Sequence, residues 1–173
     1  MRQDSIEIVD HDPRWPSDYD RERRRLEPVL AAWLVAPINH IGSTAVPGLP
    51  AKPIIDMLAV VEDRDTFGNA IGLVRELGWV HAPEPGDEAH RKWSLCFPSV
   101  AHRTHHLHVV EHRSPDWPRW LAFRDHLRIN PEVAAEYTRI KRHLVEQDAE
   151  DRVRYRSQKA PFIESVLKTL EQY

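Results

Sequence analysis

Three short stretches carry residue types that can do chemistry. In "PIIDMLAVV", Pro53 to Val61, a single carboxylate, Asp56, stands in an otherwise apolar run. Strand alternation puts Ile54, Asp56 and Leu58 on one face, with Ile55 and Met57 on the other. A carboxylate there is costly to bury unless it is paired or binds a metal. Lys52 or an arginine is the structural partner; a ligand or metal is the functional one. In "RTHHLHVVEH", Arg103 to His112, His106 and His108 share one strand face, and His105, Leu107 and Val109 the other. Two imidazoles with a carboxylate suit Zn²⁺, Mn²⁺ or Fe²⁺, whereas carboxylates alone suit Mg²⁺. The alternative is that the imidazoles simply hydrogen-bond within the fold. His105 and His112 read as surface or loop residues. The third stretch is Gly42-Ser43-Thr44, which ends the run "PINHIG". Glycine lets the chain turn sharply and a ligand approach closely. The serine hydroxyl and the following amides can then hold a phosphate; alternatively, Ser43 or Thr44 caps a helix.

Cations that can meet an anion are Lys52, Arg91, Lys92, Arg103 and Lys159. Lys52 gains from its place between the Gly-Ser turn and Asp56. Tyr155 and Lys159 are four apart, so they share a helix face from which Lys159 can reach a cleft.

These groups need a sheet to carry them and helices to close over it. "SIEIV" reads as a short strand with Ile6 and Ile8 on one face. From Pro16 to about Leu34 the pattern is helical, with Leu26, Val29, Leu30 and Trp33 at i, i+3, i+4 and i+7 and Pro28 disturbing it. "PINHIG" is a strand, and "PIIDMLAVV" a longer one, apolar enough to be covered on both faces. Residues 62–78 form a helix with Asp63 or Asp65 as cap, a buried stripe from Phe67 to Leu77, and Gly78 as C′. "WVHAP", "KWSLCF" and "THHLHVVE" are three further strands. Cys96, within the second of these, reads as a buried inert thiol. Beyond residue 113 the chain turns helical, with starts at Ser114-Pro115 and Asn130-Pro131. A last helical segment runs from about Asp151 to Glu171, with a kink or break expected at Pro161. The fold class is α+β: a mixed sheet flanked by helices, with a C-terminal helical segment. One domain is expected over 1–173, with the sheet core at about 1–112 and the helical part at about 113–173.

The chain has 173 residues and formal net charge −3, which argues against a general nucleic-acid footprint. One cysteine excludes a disulfide framework. The polar opening residues lack the core of a signal peptide, and no apolar run reaches membrane-spanning length, so a soluble cytoplasmic protein with no membrane partner is expected.

The blocks "IEIVDHDPRWP", "HIGSTAVPGLPAKPIID", "RTHHLHVVE", "LAFRDHLRINPEVAAEY" and "YRSQKAPFI" occur in that order. Together they resemble the GrpB family over nearly the whole chain. That family is regarded as a branch of the nucleotidyltransferase-fold superfamily. The resemblance implies that Gly42 and Ser43 form a turn against a triphosphate and that Asp56 is one of a metal-binding carboxylate pair on the next strand. It departs from the superfamily at the other position of the pair, where Ile54 and Leu58 are apolar. A later strand offers His106 and His108 where a third acid belongs. Members of the family also occur fused to dephospho-CoA kinase domains.

Three functions are compatible with these residues. The first is metal-assisted nucleotidyl transfer to a small molecule. In it Gly42, Ser43 and Thr44 cradle phosphates, and Asp56 with His106 and His108 holds Mg²⁺, Mn²⁺ or Zn²⁺. Lys52 acts beside Asp56, Arg103 and Lys159 neutralise charge, and a nucleoside triphosphate is the substrate. The second is a non-catalytic nucleotide- or partner-binding accessory module linked to coenzyme A or nucleotide metabolism, favoured by the missing second acid. The third is a His/Asp metal-dependent hydrolase, which leaves the Gly-Ser turn without a task. The oligomeric state is not legible.

Overall fold

The protein was studied as a computed structural model that describes residues 5–171. A five-stranded mixed sheet forms its centre. The strands are β1 (Asn39–Ile41), β2 (Ile55–Val61), β3 (Val80–His81), β4 (Trp93–Pro98) and β5 (Arg103–Glu111), in the spatial order β1-β2-β5-β4-β3. Among the described strands only β2 and β5 pair in parallel, and the other pairs are antiparallel. The parallel register sets Asp56 opposite His106 and Leu58 opposite His108. Alternation is strict along both strands, and it sorts their side chains onto two faces with different tasks.

One face is the main core. Ile55, Met57, Ala59 and Val61 of β2, with Leu107 and Val109 of β5, pack against α1 (Trp15–Leu30), α2 (Arg64–Phe67) and α3 (Ile71–Glu76). Phe67, Ala70 and Val74 supply the helical side of that contact. Asp63 caps α2 by accepting from the amides of Asp65 and Thr66. Gly78, at φ 87°, ends the segment as the left-handed residue that follows a helix. Pro28 sits inside α1 without stopping it, and the helix ends at Leu30, short of the expected Leu34.

The opposite face is split. Its far end is apolar, with Ile41, Leu58, Val60 and Val110 buried under Trp117, Trp120 and Leu121 of α4 (Asp116–Ile129). Its near end carries Asp56, His106 and His108. Helices α5 (Pro131–Gln147) and α6 (Arg152–Leu170) complete this side. Tyr137 of α5 stacks on Phe162 of α6 at 5.5 Å and meets Phe123 of α4 edge-on at 5.3 Å, tying the three helices together. Arg124 of α4 pairs with Asp125 and donates to the His40 carbonyl at 2.8 Å, fixing the helices to β1.

Several local expectations change. Residues 5–9 form only an isolated bridge between Val9 and Ala51, because Ile6 and Ile8 pack beside Leu144 and Tyr155 instead of joining the sheet. Pro161 does not break the last helix: α6 runs through it, because the apolar stripe of Phe162, Ile163, Val166 and Leu167 continues to pack. Ser114 accepts from the Asp116 amide at 3.2 Å, but it stands one residue before the N-cap of α4, which is Pro115 and not the expected serine. Asn130 precedes α5, but its side chain turns back to the His126 carbonyl at 2.9 Å.

Candidate functional site

The near end of that split face opens into a cleft of about 600 Å³ lined by Lys52, Asp56, Glu84, Arg103, His106, His108, Tyr155, Arg156 and Lys159, among others. A narrower extension of about 80 Å³ shares Lys52, Asp56, Tyr155 and Lys159 with it and adds Ser43, Thr44 and Lys141. Sheet, loop, α5 and α6 therefore converge on one space. Among the lining groups, cations outnumber the carboxylates of Asp56 and Glu84, so the space is electropositive.

Asp56 is the hinge of the site. Its Oδ1 lies 3.2 Å from His106 Nδ1 and 3.5 Å from His108 Nε2. Burial works against its ionisation. The hydrogen bonds from the two imidazoles outweigh that and hold its carboxyl below the ordinary carboxylate range. Burial likewise pushes His106 below its usual value, against the pull of Asp56, so the ring is neutral near pH 7. Arg103 Nη1 stands 3.3 Å from His106 Nε2. A guanidinium only donates, so Nε2 accepts and the ring proton sits on Nδ1, facing Asp56.

The same three side chains each offer one ligand atom within 4.8 Å of the others. One ion could meet Asp56 Oδ1 and the two imidazole nitrogens 3.2 and 3.5 Å from it, provided the His106 proton shifts from Nδ1 to Nε2 and Arg103 moves off that atom. The donor set of one carboxylate and two imidazoles fits a single transition-metal ion better than Mg²⁺. His108 Nδ1 is buried with no hydrogen-bond partner, and the ring meets Trp120 edge-on at 5.4 Å.

The turn before β2 is shaped around Asp56. Gly42 adopts φ 70°, and a Cβ there would lie 2.7 Å from Asp56 Oδ2. No other residue type fits, on backbone and contact grounds alike. Ser43 begins a 3-10 turn, Ser43–Ala45, and faces the narrow extension. Thr44 is buried, and its hydroxyl is 2.9 Å from His40 Nε2, so its oxygen serves the fold. Burial keeps His40 neutral by pushing its pKa down to about 4.

Of the candidate cations, Lys52, Arg103 and Lys159 line the cleft. Lys159 lies over the Tyr155 ring at 4.5 Å, as their spacing on α6 requires. Arg91 and Lys92 stand elsewhere: Arg91 pairs with Glu111 and Asp65, and Lys92 with Asp87. His105 is not a surface residue. It is buried in the main core beside Trp79 and Phe97, because alternation turns it away from His106.

Lys141 escaped the sequence reading. It is 2% exposed and donates to Ser43 Oγ at 3.1 Å and the Pro50 carbonyl at 2.6 Å. The available signal was its place on the buried stripe of α5, with Tyr137, Thr138 and Leu144. A lysine on such a stripe either snorkels or serves a site. Glu84, which pairs with Arg103 and Arg156, was likewise hidden in a polar loop.

The sequence profile described as "GrpB protein" matches residues 5–169. The chain belongs to the GrpB family. It is 34% identical to the Glutamate-rich protein GrpB of Alkalihalophilus pseudofirmus, covering 94% of each chain. It is 35% identical to the UPF0157 protein YqkA of Bacillus subtilis over 82% of this chain, but spans only 40% of that protein. A Mycolicibacterium paratuberculosis protein named dephospho-CoA kinase is 26% identical over 91% of this chain and 44% of its own length. Among solved structures, the conserved protein GrpB of Enterococcus faecalis superposes with a TM-score of 0.82 at 27% identity, covering 95% of this chain and 99% of that one. The α+β architecture is thus the family's. No helix among the described residues is long and apolar enough to cross a membrane.

Proposed function

We propose that this GrpB-family cleft binds a phosphate-bearing small molecule, of which a nucleotide is the best fit, together with one divalent transition-metal ion. One observation carries the reading: the Asp56 carboxylate, 3.2 and 3.5 Å from two imidazoles, lies in a cleft otherwise lined mainly by cations. Asp56, His106 and His108 hold the metal. Bound there, the ion supplies positive charge to phosphoryl oxygens. Lys52, Arg103 and Lys159 bring the remaining positive charge, and the Gly42-Ser43 turn lets the ligand approach the sheet edge.

The geometry supports binding more strongly than transfer. Nucleotidyl transfer by two metals requires a second carboxylate beside the first. Leu58, the next residue on that face, is fully buried in the apolar cluster under Trp117 and Trp120. An accessory nucleotide-binding role is therefore the second reading. The similarity to part of a protein named dephospho-CoA kinase agrees with it.

Thermal unfolding in the presence of Mn²⁺, Zn²⁺ or Mg²⁺, each with and without a nucleoside triphosphate, tests the proposal. Saturation at a hundredfold above Kd adds about 2.7 kcal/mol, or roughly 5–10 °C for a chain of this size. Mn²⁺ or Zn²⁺ is expected to outperform Mg²⁺. Asp56→Ala is expected to abolish the shift; a full shift in that variant rejects the site.

A further inference from the structure

Lys141 is the one buried amine in this site for which that reading has no use. Its two acceptors, Ser43 Oγ and the Pro50 carbonyl, are both uncharged. The Tyr137 ring lies 4.8 Å from Nζ. The charged groups facing the same narrow space are Lys52 from the loop, Asp56 from β2 and Lys159 from α6, and Arg142 follows on its own helix. No carboxylate among the described residues lies within ion-pairing distance of Nζ. Burying an ammonium without a counter-ion is costly. Burial first, then the charges of Lys159 and Arg142, push its pKa down to about 7. An amine kept under such conditions is poised for an anion.

The shape says which part of an anion. The space around Lys141 measures about 80 Å³ and shares Lys52, Asp56, Tyr155 and Lys159 with the lining of the 600 Å³ cleft. It has room for a few water molecules, and so for one phosphoryl group. A group capped on its far side by another nucleoside does not fit there. An ammonium has three hydrogens, two of them already used, and Ser43, accepting from Lys141, still has its own O–H to donate. Resting on the phosphate-binding reading above, we propose that Lys141 Nζ and Ser43 Oγ form a narrow subsite for a terminal phosphate. The ligand class is then a compound ending in a free phosphoryl group, not an internal phosphodiester.

Calorimetry on the full chain loaded with Mn²⁺, with inorganic pyrophosphate and its doubly esterified P1,P2-diester as probes, decides the matter. Wild type is expected to bind pyrophosphate at least tenfold tighter than the diester. Lys141→Met, which keeps the stem and removes the charge, is expected to lose tenfold or more for pyrophosphate and nothing for the diester. Its melting temperature is expected to be unchanged or higher, since a buried unneutralised charge has gone. Ser43→Ala is expected to lose affinity in the same selective way. If Lys141→Met binds pyrophosphate like wild type, or melts several degrees lower or fails to fold, the amine is structural and the subsite is rejected while the cleft reading stands. If wild type binds neither probe although Asp56-dependent Mn²⁺ binding is intact, the phosphate reading falls with it.

Discussion

At the scale of single residues, the site depends on contacts too close to admit substitution. Gly42 is the sharpest case, because its φ of 70° and the 2.7 Å approach to Asp56 Oδ2 both forbid a side chain. Gly42→Ala is expected to destabilise the fold by roughly 2 kcal/mol or more, from left-handed strain and the clash together. Denaturant midpoints, read beside Mn²⁺ affinity, check this; an unperturbed variant would mean the turn does not press on Asp56. Lys141 gives a pH signature. Its folded pKa, about 7, lies below the unfolded value of about 10.4. Between those values the unfolded chain holds the extra proton, so this group makes stability rise with pH. From pH 7 to 9 the ligand-free protein is expected to gain about 2 kcal/mol relative to Lys141→Met. The range stops at pH 9 because burial raises Tyr155, whose ionisation opposes the trend at higher pH.

At the scale of elements, β2 carries two tasks on one face. Asp56 opens onto the cleft, while Leu58 and Val60 lie fully buried under α4. The missing second acid is thus a load in the core and not an idle position. Leu58→Asp, which places a second acid on the same strand face as Asp56, is expected to cost more than about 3 kcal/mol, because it removes packing and buries a charge under two tryptophans. Chemical denaturation measures the cost. A stable, metal-binding Leu58→Asp would show that α4 can lift and that two-metal chemistry is one substitution away.

At the scale of the whole molecule, net charge and local charge point in opposite directions. The chain is acidic overall, at −3, yet the cleft gathers Lys52, Arg103, Lys141, Arg156 and Lys159 around two carboxylates. Triphosphate affinity is therefore expected to fall when salt is raised from 50 to 500 mM, as the wider cleft is screened. The share due to Lys141, buried at the narrow end, is expected to be the least sensitive. Calorimetry at three ionic strengths, on wild type and Lys141→Met, separates the two.

Much of this protein was written in its order of residues. Period-two runs declared the strands, and Asp56, His106 and His108 were legible because ionisable groups in apolar strands are expensive and must have partners. The family blocks were legible for the same local reasons. Lys141, Glu84 and the burial of His105 were not, because each owes its environment to residues far away in sequence. Parallel pairing of β2 with β5 sets Asp56 against His106, and packing of α5 over the loop brings Lys141 to Ser43, 98 positions distant. Local spacing fixes which face a side chain takes. Only the assembled sheet and helices fix what waits on that face, since burial and pairing are properties of the closed structure and not of the chain.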